Sequence, residues 1–155
     1  MSLESVKAFF ADKAPEVEVI ELPTSTATVA LAAEAHGVEP GQIAKTLSFS
    51  TRDQTILVVT RGDARIDNRK FKDRFGTKPR MLDADTVLAE TSHPVGGVCP
   101  FGLPSALPVY CDVSLKAFDV VVPAAGSTHS AVRITPDRMA ELTAAEWVDV
   151  CEVRP

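Results

Sequence analysis

Aromatic side chains are scarce in this chain, at 6% of 155 residues with one tryptophan and one tyrosine. Its core must therefore be built mainly from Val, Leu, Ile and Ala. Cysteine is nearly as rare. Cys99, Cys111 and Cys151 are an odd number without a CxxC pair, which fits a reducing compartment and excludes a disulfide framework. The three histidines, His36, His93 and His129, are scattered. His93 and Cys99 lie six residues apart, but no second pair completes a tetrahedral zinc set. Neither a metal nor a cofactor is expected. No apolar run approaches the roughly 20 residues of a membrane-spanning helix. The first residues, MSLESVKAFFADKAPE, are too charged for a signal peptide. A cytoplasmic protein with no membrane partner is the expectation.

What is present is an ordinary soluble composition, 45% hydrophobic and 24% charged, which argues against disorder. Repeats, low-complexity tracts and linkers are lacking, so residues 1–155 read as one domain, long enough to bury roughly two thirds of its unfolded surface. The net charge of −5 hides an uneven distribution. The segment RGDARIDNRKFKDRFGTKPR (61–80) holds eight of the sixteen basic residues and three aspartates, a local +5, which leaves −10 on the rest. Two readings stand: a phosphate-contacting patch, with Arg65, Arg69, Lys70 and Lys72 as the candidate contacts, or a solvated helix face that aids solubility.

The pattern predicts a first helix over 3–14 capped by Ser2, a strand at 17–22, and an alanine-rich helix capped by Thr26 and ended by Gly37. IAKTLSFS (43–50) and TILVVTRG (55–62) read as strands joined by a turn at 51–54. Asp67 caps a short basic helix stopped by Gly76, and Asp83 caps another that closes before Pro94. Segments 107–115, 118–126 and 129–135 are β-rich, Pro136 opens a helix through Leu142, and EWVDVCEV forms a final strand. Several strand pairs are joined too tightly for right-handed crossovers. The predicted class is α/β (α+β): a mixed, largely antiparallel sheet or barrel flanked by helices.

Three places invite chemistry. HPVGGVCPFG (93–102) holds three of the eight glycines, two prolines and a cysteine. Such a turn brings backbone amides close to an oxyanion or phosphate, or it is a plain loop that needs positive φ. Cys99 at its centre is either a nucleophile served by His93 or His129, or a small side chain filling a tight turn. Lys45 shares a strand face with Ile43 and Leu47, where an ammonium is costly unless it meets an anion; the alternative is a solvated edge. PAAGSTHS (123–130) offers backbone and hydroxyl donors at Gly126, Ser127 and Thr128. His129 there is a base, a ligand contact or a surface residue.

Taken together, HGVEPGQIAKTLSF (36–49), VTRGDARID (59–67), HPVGGVCPFGLP (93–104) and AAGSTHSAVRITPDRM (124–139) resemble the YbaK/prolyl-tRNA synthetase-associated domain family over nearly the whole chain. The resemblance implies a mixed α/β barrel that hydrolyses the ester between a wrong amino acid and its tRNA. It implies that Lys45, followed by Thr46, contacts the terminal phosphate or acyl end of the substrate. Gly96, Gly97, Val98, Cys99 and Pro100 would form the GGxxP turn whose amides surround the ester carbonyl, with Phe101 beside it. Gly126 and Ser127 would line the other side, and Asp67 matches an acidic residue of open role. This chain has Cys99 where the family commonly has serine, and Thr128 and His129 where it commonly has Pro-Asn. Loss of a serine argues that catalysis relies on the backbone, and His129 bears on which substrate fits.

The implied activity is aminoacyl-tRNA deacylation in trans. The ester is activated, so holding it, polarising its carbonyl and placing a water suffice, aided by the vicinal ribose hydroxyl that the family recruits. Small acyl groups fit a pocket bounded by glycine and alanine. The expected partners are mischarged tRNA, through its acceptor end, and an aminoacyl-tRNA synthetase. Two alternatives remain: a non-catalytic tRNA- or synthetase-binding module of the same fold, and a Cys–His hydrolase built on Cys99.

Overall fold

A computed structural model describes residues 2–153 of the chain; Met1, Arg154 and Pro155 lie outside the described residues. In chain order the elements are α1 (Ser2–Lys13), β1 (Ile20–Glu21), α2 (Val29–His36), β2 (Ile43–Ser50), β3 (Thr55–Arg61), β4 (Ala64–Ile66), α3 (Asn68–Phe75) and α4 (Ala84–Thr91). There follow β5 (Val109–Asp112), β6 (Val122–Pro123), β7 (Ser130–Ala131), α5 (Pro136–Thr143), β8 (Glu146–Val148) and β9 (Cys151–Val153). Five strands form the central sheet in the order β6-β2-β3-β5-β8, and β1-β7 and β4-β9 form two small sheets beside it.

The β2–β3 hairpin is the spine, antiparallel from Ala44 opposite Arg61 to Ser50 opposite Thr55. It turns where the Thr51 N–H donates to the Gln54 carbonyl. The pairs β2–β6, β3–β5 and β5–β8 run parallel, and each is joined by a long connection, as parallel neighbours require. The predicted mixed sheet flanked by helices is therefore found. The pleat sends alternate residues of β2 to two different cores. Ala44 packs with Leu57, Val59, Cys99, Phe101 and the α1 residues Val6 and Phe10. Phe49 packs with Ile56, Val58, Phe71 and Val150. Thr46 thus shares the face of Ala44, whereas Lys45 and Leu47 share that of Phe49.

Several expected boundaries move, each for a local reason. Thr28, not Thr26, caps α2, accepting from the Leu31 N–H; Thr26 is buried and donates to the Thr128 carbonyl. Ser2 lies within α1, and its hydroxyl donates to the Gly126 carbonyl. The strand expected over 107–115 stops at Asp112, whose carboxylate caps a 3-10 turn over Val113–Ala117. The same carboxylate accepts the Val150 N–H at 2.8 Å, and here the expected last strand divides: β8 joins β5, and β9 pairs with β4.

Candidate active site

The site forms where the outer edge of β2 is left open. β6 covers only Ile43 and Ala44. Further along, the Leu82 N–H donates to the Ser48 carbonyl at 3.1 Å and the Ser50 N–H to the Arg80 carbonyl at 2.8 Å. Between these covers lie residues 45–47, and a cavity of about 340 Å³ wraps around them. Its apolar end is closed by Val29 and Ala32 of α2 with Ile43, Val122 and Ala131. Met81, Leu82 and Val87 form another wall, and Val95, Gly96 and Val98 bring the glycine turn to the opening.

Lys45 and Thr46 both line this cavity, from opposite faces of the strand. The half-buried Lys45 ammonium donates to the Ala64 carbonyl at 2.6 Å. Burial holds its pKa below the usual lysine value, while Asp63 nearby favours the charged form. The Thr46 hydroxyl is buried without a hydrogen-bond partner.

The glycine turn divides its labour. Gly96, at φ +92°, lines the cavity, and the N–H groups of Gly96 and Val98 have no protein acceptor among the described residues. Gly97 serves another purpose. Its N–H donates to the Pro94 carbonyl at 2.9 Å, and its carbonyl accepts the Gly126 N–H at 3.0 Å. A Cβ at Gly97 would sit 2.7 Å from the Ser127 nitrogen. The glycine is required because two loops are pressed together, and its amide is not available to a ligand.

Cys99, Pro100 and Phe101 are buried behind the turn and do not line the cavity. Phe101 instead packs on the rings of Phe9 and Phe10. The Cys99 sulfur lies 3.5 Å from His93 Nε2, but that nitrogen is 2.7 Å from the Phe101 carbonyl, so it carries the proton and donates it. Burial pushes the Cys99 thiol up to about 12 and holds the His93 imidazole low. The Cys–His reading is therefore corrected: both side chains are fully buried and away from any opening.

On the second loop, Gly126 is buried at φ +90°, and Ser127 Oγ lies 2.7 Å from Ser130 Oγ. Thr128 Oγ1 lies 2.9 Å from Nδ1 of the exposed His129. None of these four lines the cavity; Ala124 and Ser130 do. The expected influence of His129 on the acyl pocket is corrected accordingly. Asp67 caps α3 through the Arg69 and Lys70 N–H groups. Of the basic candidates, Lys70 is held by Asp149 and the Cys151 carbonyl and Arg65 is exposed on β4. Arg69 and Lys72 line a separate cleft.

Sequence reasoning missed Met81, Leu82, Val87 and the α2 wall. The only signal for them was the run of small residues VALAAEA, which leaves room beside a strand. Among the described residues, no cluster of three His, Cys, Asp or Glu side chains offers a metal site, and no helix is long and apolar enough to cross a membrane.

Comparison with known proteins bears on this geometry. A family model described as an aminoacyl-tRNA editing domain matches residues 24–142. The uncharacterized protein YwhH of Bacillus subtilis (strain 168) is 50% identical over 154 residues, covering 98% of each chain. The proline--tRNA ligase of Desulfovibrio desulfuricans (strain ATCC 27774 / DSM 6949 / MB) is 33% identical over 138 residues, 88% of this chain but only 23% of the ligase. A solved structure, "Crystal structure of a putative trans-editing enzyme for prolyl tRNA synthetase", superimposes with a TM-score of 0.90 at 33% identity, over 97% of both chains.

Proposed function

Because this chain belongs to the aminoacyl-tRNA editing domain family, we propose that it hydrolyses the ester of tRNA mischarged with a small amino acid, that it acts in trans, and that residues 1–155 work as one editing domain. The observation that carries this reading is a single cavity lined by Lys45 and by the glycine turn with its two free amides. The trans mode draws support from the neighbour described as "a putative trans-editing enzyme for prolyl tRNA synthetase", which matches over 97% of both chains.

In this reading the acyl group enters the end walled by Val29, Ala32, Ile43, Val122 and Ala131, which admits a small side chain and has no charged group to receive a polar one. Water adds to the ester carbonyl carbon. The negative charge that develops on oxygen is met by the Gly96 and Val98 N–H groups, each such donor contributing on the order of 100-fold in rate. The carbon–oxygen bond to the ribose then breaks, and the ribose oxygen takes a proton. Lys45 donates one N–H to the Ala64 carbonyl and has two N–H donors left for the acyl end or the terminal phosphate. A synthetase partner would deliver the tRNA.

The test is a panel of mischarged tRNAs followed under multiple turnover. Esters of small amino acids should be lost, and Lys45→Ala should slow the loss by on the order of 100-fold, the scale of a charged hydrogen bond. No turnover with any tRNA, or a Lys45→Ala variant as fast as the parent, would refute the reading.

A further inference from the structure

Six of the eight basic residues of segment 61–80 fall into two groups, with Arg65 and Arg80 in neither. Arg61, Lys70 and Arg74 are tied to Asp63, Asp149 and Glu146. Arg69, Lys72 and Lys78 have no carboxylate partner among the described residues, and with Asn68 and Pro79 they line a cleft of about 390 Å³. No acidic side chain lines that cleft. Asp67 directs its carboxylate at the α3 amides, and Asp73 lies outside the lining. Three cations around one concavity repel each other, and the backbone of α3 and of the segment after Gly76 holds them there. A concave, uncompensated positive surface of this kind concentrates polyanions.

Its position decides which polyanion. Lys78 and Pro79 begin an extended stretch that ends at Met81 and Leu82, which wall the cavity. Hydrogen bonds from Ser50 and Leu82 lay this stretch against β2. Three residue steps lead from Lys78 to Met81, a distance of at most about 10 Å. A stacked nucleic-acid strand advances about 3.4 Å per nucleotide. A strand whose terminal ester sits in the cavity therefore passes over the cleft within about three nucleotides of its end. At the cavity mouth it meets Met81 and Val95, which are 64% and 61% exposed and more exposed than the other large hydrophobic residues of the described chain. Apolar side chains at an opening of this kind mark a contact surface.

We propose that Arg69, Lys72 and Lys78 bind the backbone phosphates of the last few nucleotides of the tRNA 3′ strand. This rests on the deacylase reading and replaces Arg65 and Lys70 by Lys78 as the phosphate contact. The test measures binding of uncharged tRNA between 50 and 200 mM salt, with intact tRNA and with tRNA lacking its last three nucleotides. The parent is compared with R69A/K72A/K78A and with the control K7A/K13A, which removes two lysines of α1 that pair with Glu21 and Asp12.

Three single-strand phosphate contacts predict a slope of log affinity against log salt that is shallower by about 2 in the triple variant. The control should keep the parent slope. Truncating the tRNA should weaken the parent and leave the triple variant almost unaffected. A parent-like slope in the triple variant would overturn the assignment and leave the cleft to an acidic protein. So would an equal loss on intact and truncated tRNA, or parent binding too weak to measure at 50 mM salt. Uncharged tRNA keeps the readout separate from catalysis, so failure of deacylation and failure of the cleft are told apart. All three side chains are exposed, and an unchanged melting temperature confirms that the variant folds.

Discussion

Gly97→Ala separates two uses of a glycine in a site loop. The added methyl would lie 2.7 Å from the Ser127 nitrogen and 2.9 Å from its Cα and carbonyl carbon. These are backbone atoms that cannot swing aside, so the two loops must part. Overpacking of this kind costs about 1–3 kcal/mol. Losing the Gly126-to-Gly97 hydrogen bond adds about 0.5–1.5 kcal/mol. The sum, about 1.5–4.5 kcal/mol, is a large share of a typical stability of about 5–15 kcal/mol. It should lower the melting temperature by about 5–15 °C. Gly37→Ala is the comparator: nothing lies within 4 Å of its Cβ, and φ is +66°, so only the left-handed strain of about 1–2 kcal/mol applies. Thermal denaturation by circular dichroism, paired with deacylation below the melting temperature, reads both effects. A Gly97→Ala protein that melts like the parent yet fails to hydrolyse would show that the glycine faces the ligand, and the reasoning would fall.

Burial lowers the Lys45 pKa from 10.5, so any rate contribution of the ammonium should be complete at neutral pH and fade as the pH rises through a value below 10.5. Stability should respond in the opposite sense over that window, since the unfolded chain there binds more protons. The measurement is the enzymatic rate divided by spontaneous ester hydrolysis at each pH, with Lys45→Arg expected to lack the fall; a flat parent ratio up to pH 10.5 would contradict it. The cysteines give a second check. All three are buried and held up to about 12, so iodoacetamide should leave native protein unlabelled and fully active, and mass spectrometry showing rapid modification of Cys99 would count against the buried placement.

The hairpin, the α3 cap and its glycine stop were readable because each is a local signal. Apolar residues at every second position marked the strand of residues 43–50 and a nearly continuous apolar run marked that of 55–61, Asp67 answers the free amides of Asn68–Phe75, and Gly76 takes the left-handed exit. Lys45 was legible as an anomaly within an apolar strand. The rest depended on contacts remote in sequence. That Gly97 meets Ser127, and that Cys99 sits behind the turn and not on it, follows from two loops packing face to face, which no spacing rule carries. The residues at 118–126 and 129–135 have strand-like composition, but only Val122–Pro123 and Ser130–Ala131 find long enough partners to form ladders. The cavity walls at Met81 and Val87 were invisible because an apolar residue beside a helix cap looks the same in a core and at an opening.

The uncovered run of β2 has one more consequence. Bare strand edges invite pairing with the edge of another molecule, a hazard that folded proteins suppress. Here the bare portion spans three residues, with β6 at one end and the stretch through Met81 at the other, so a foreign strand has no length on which to zip. A short interruption in the sheet thus leaves a few peptide groups open to a small ligand while denying them to neighbouring chains.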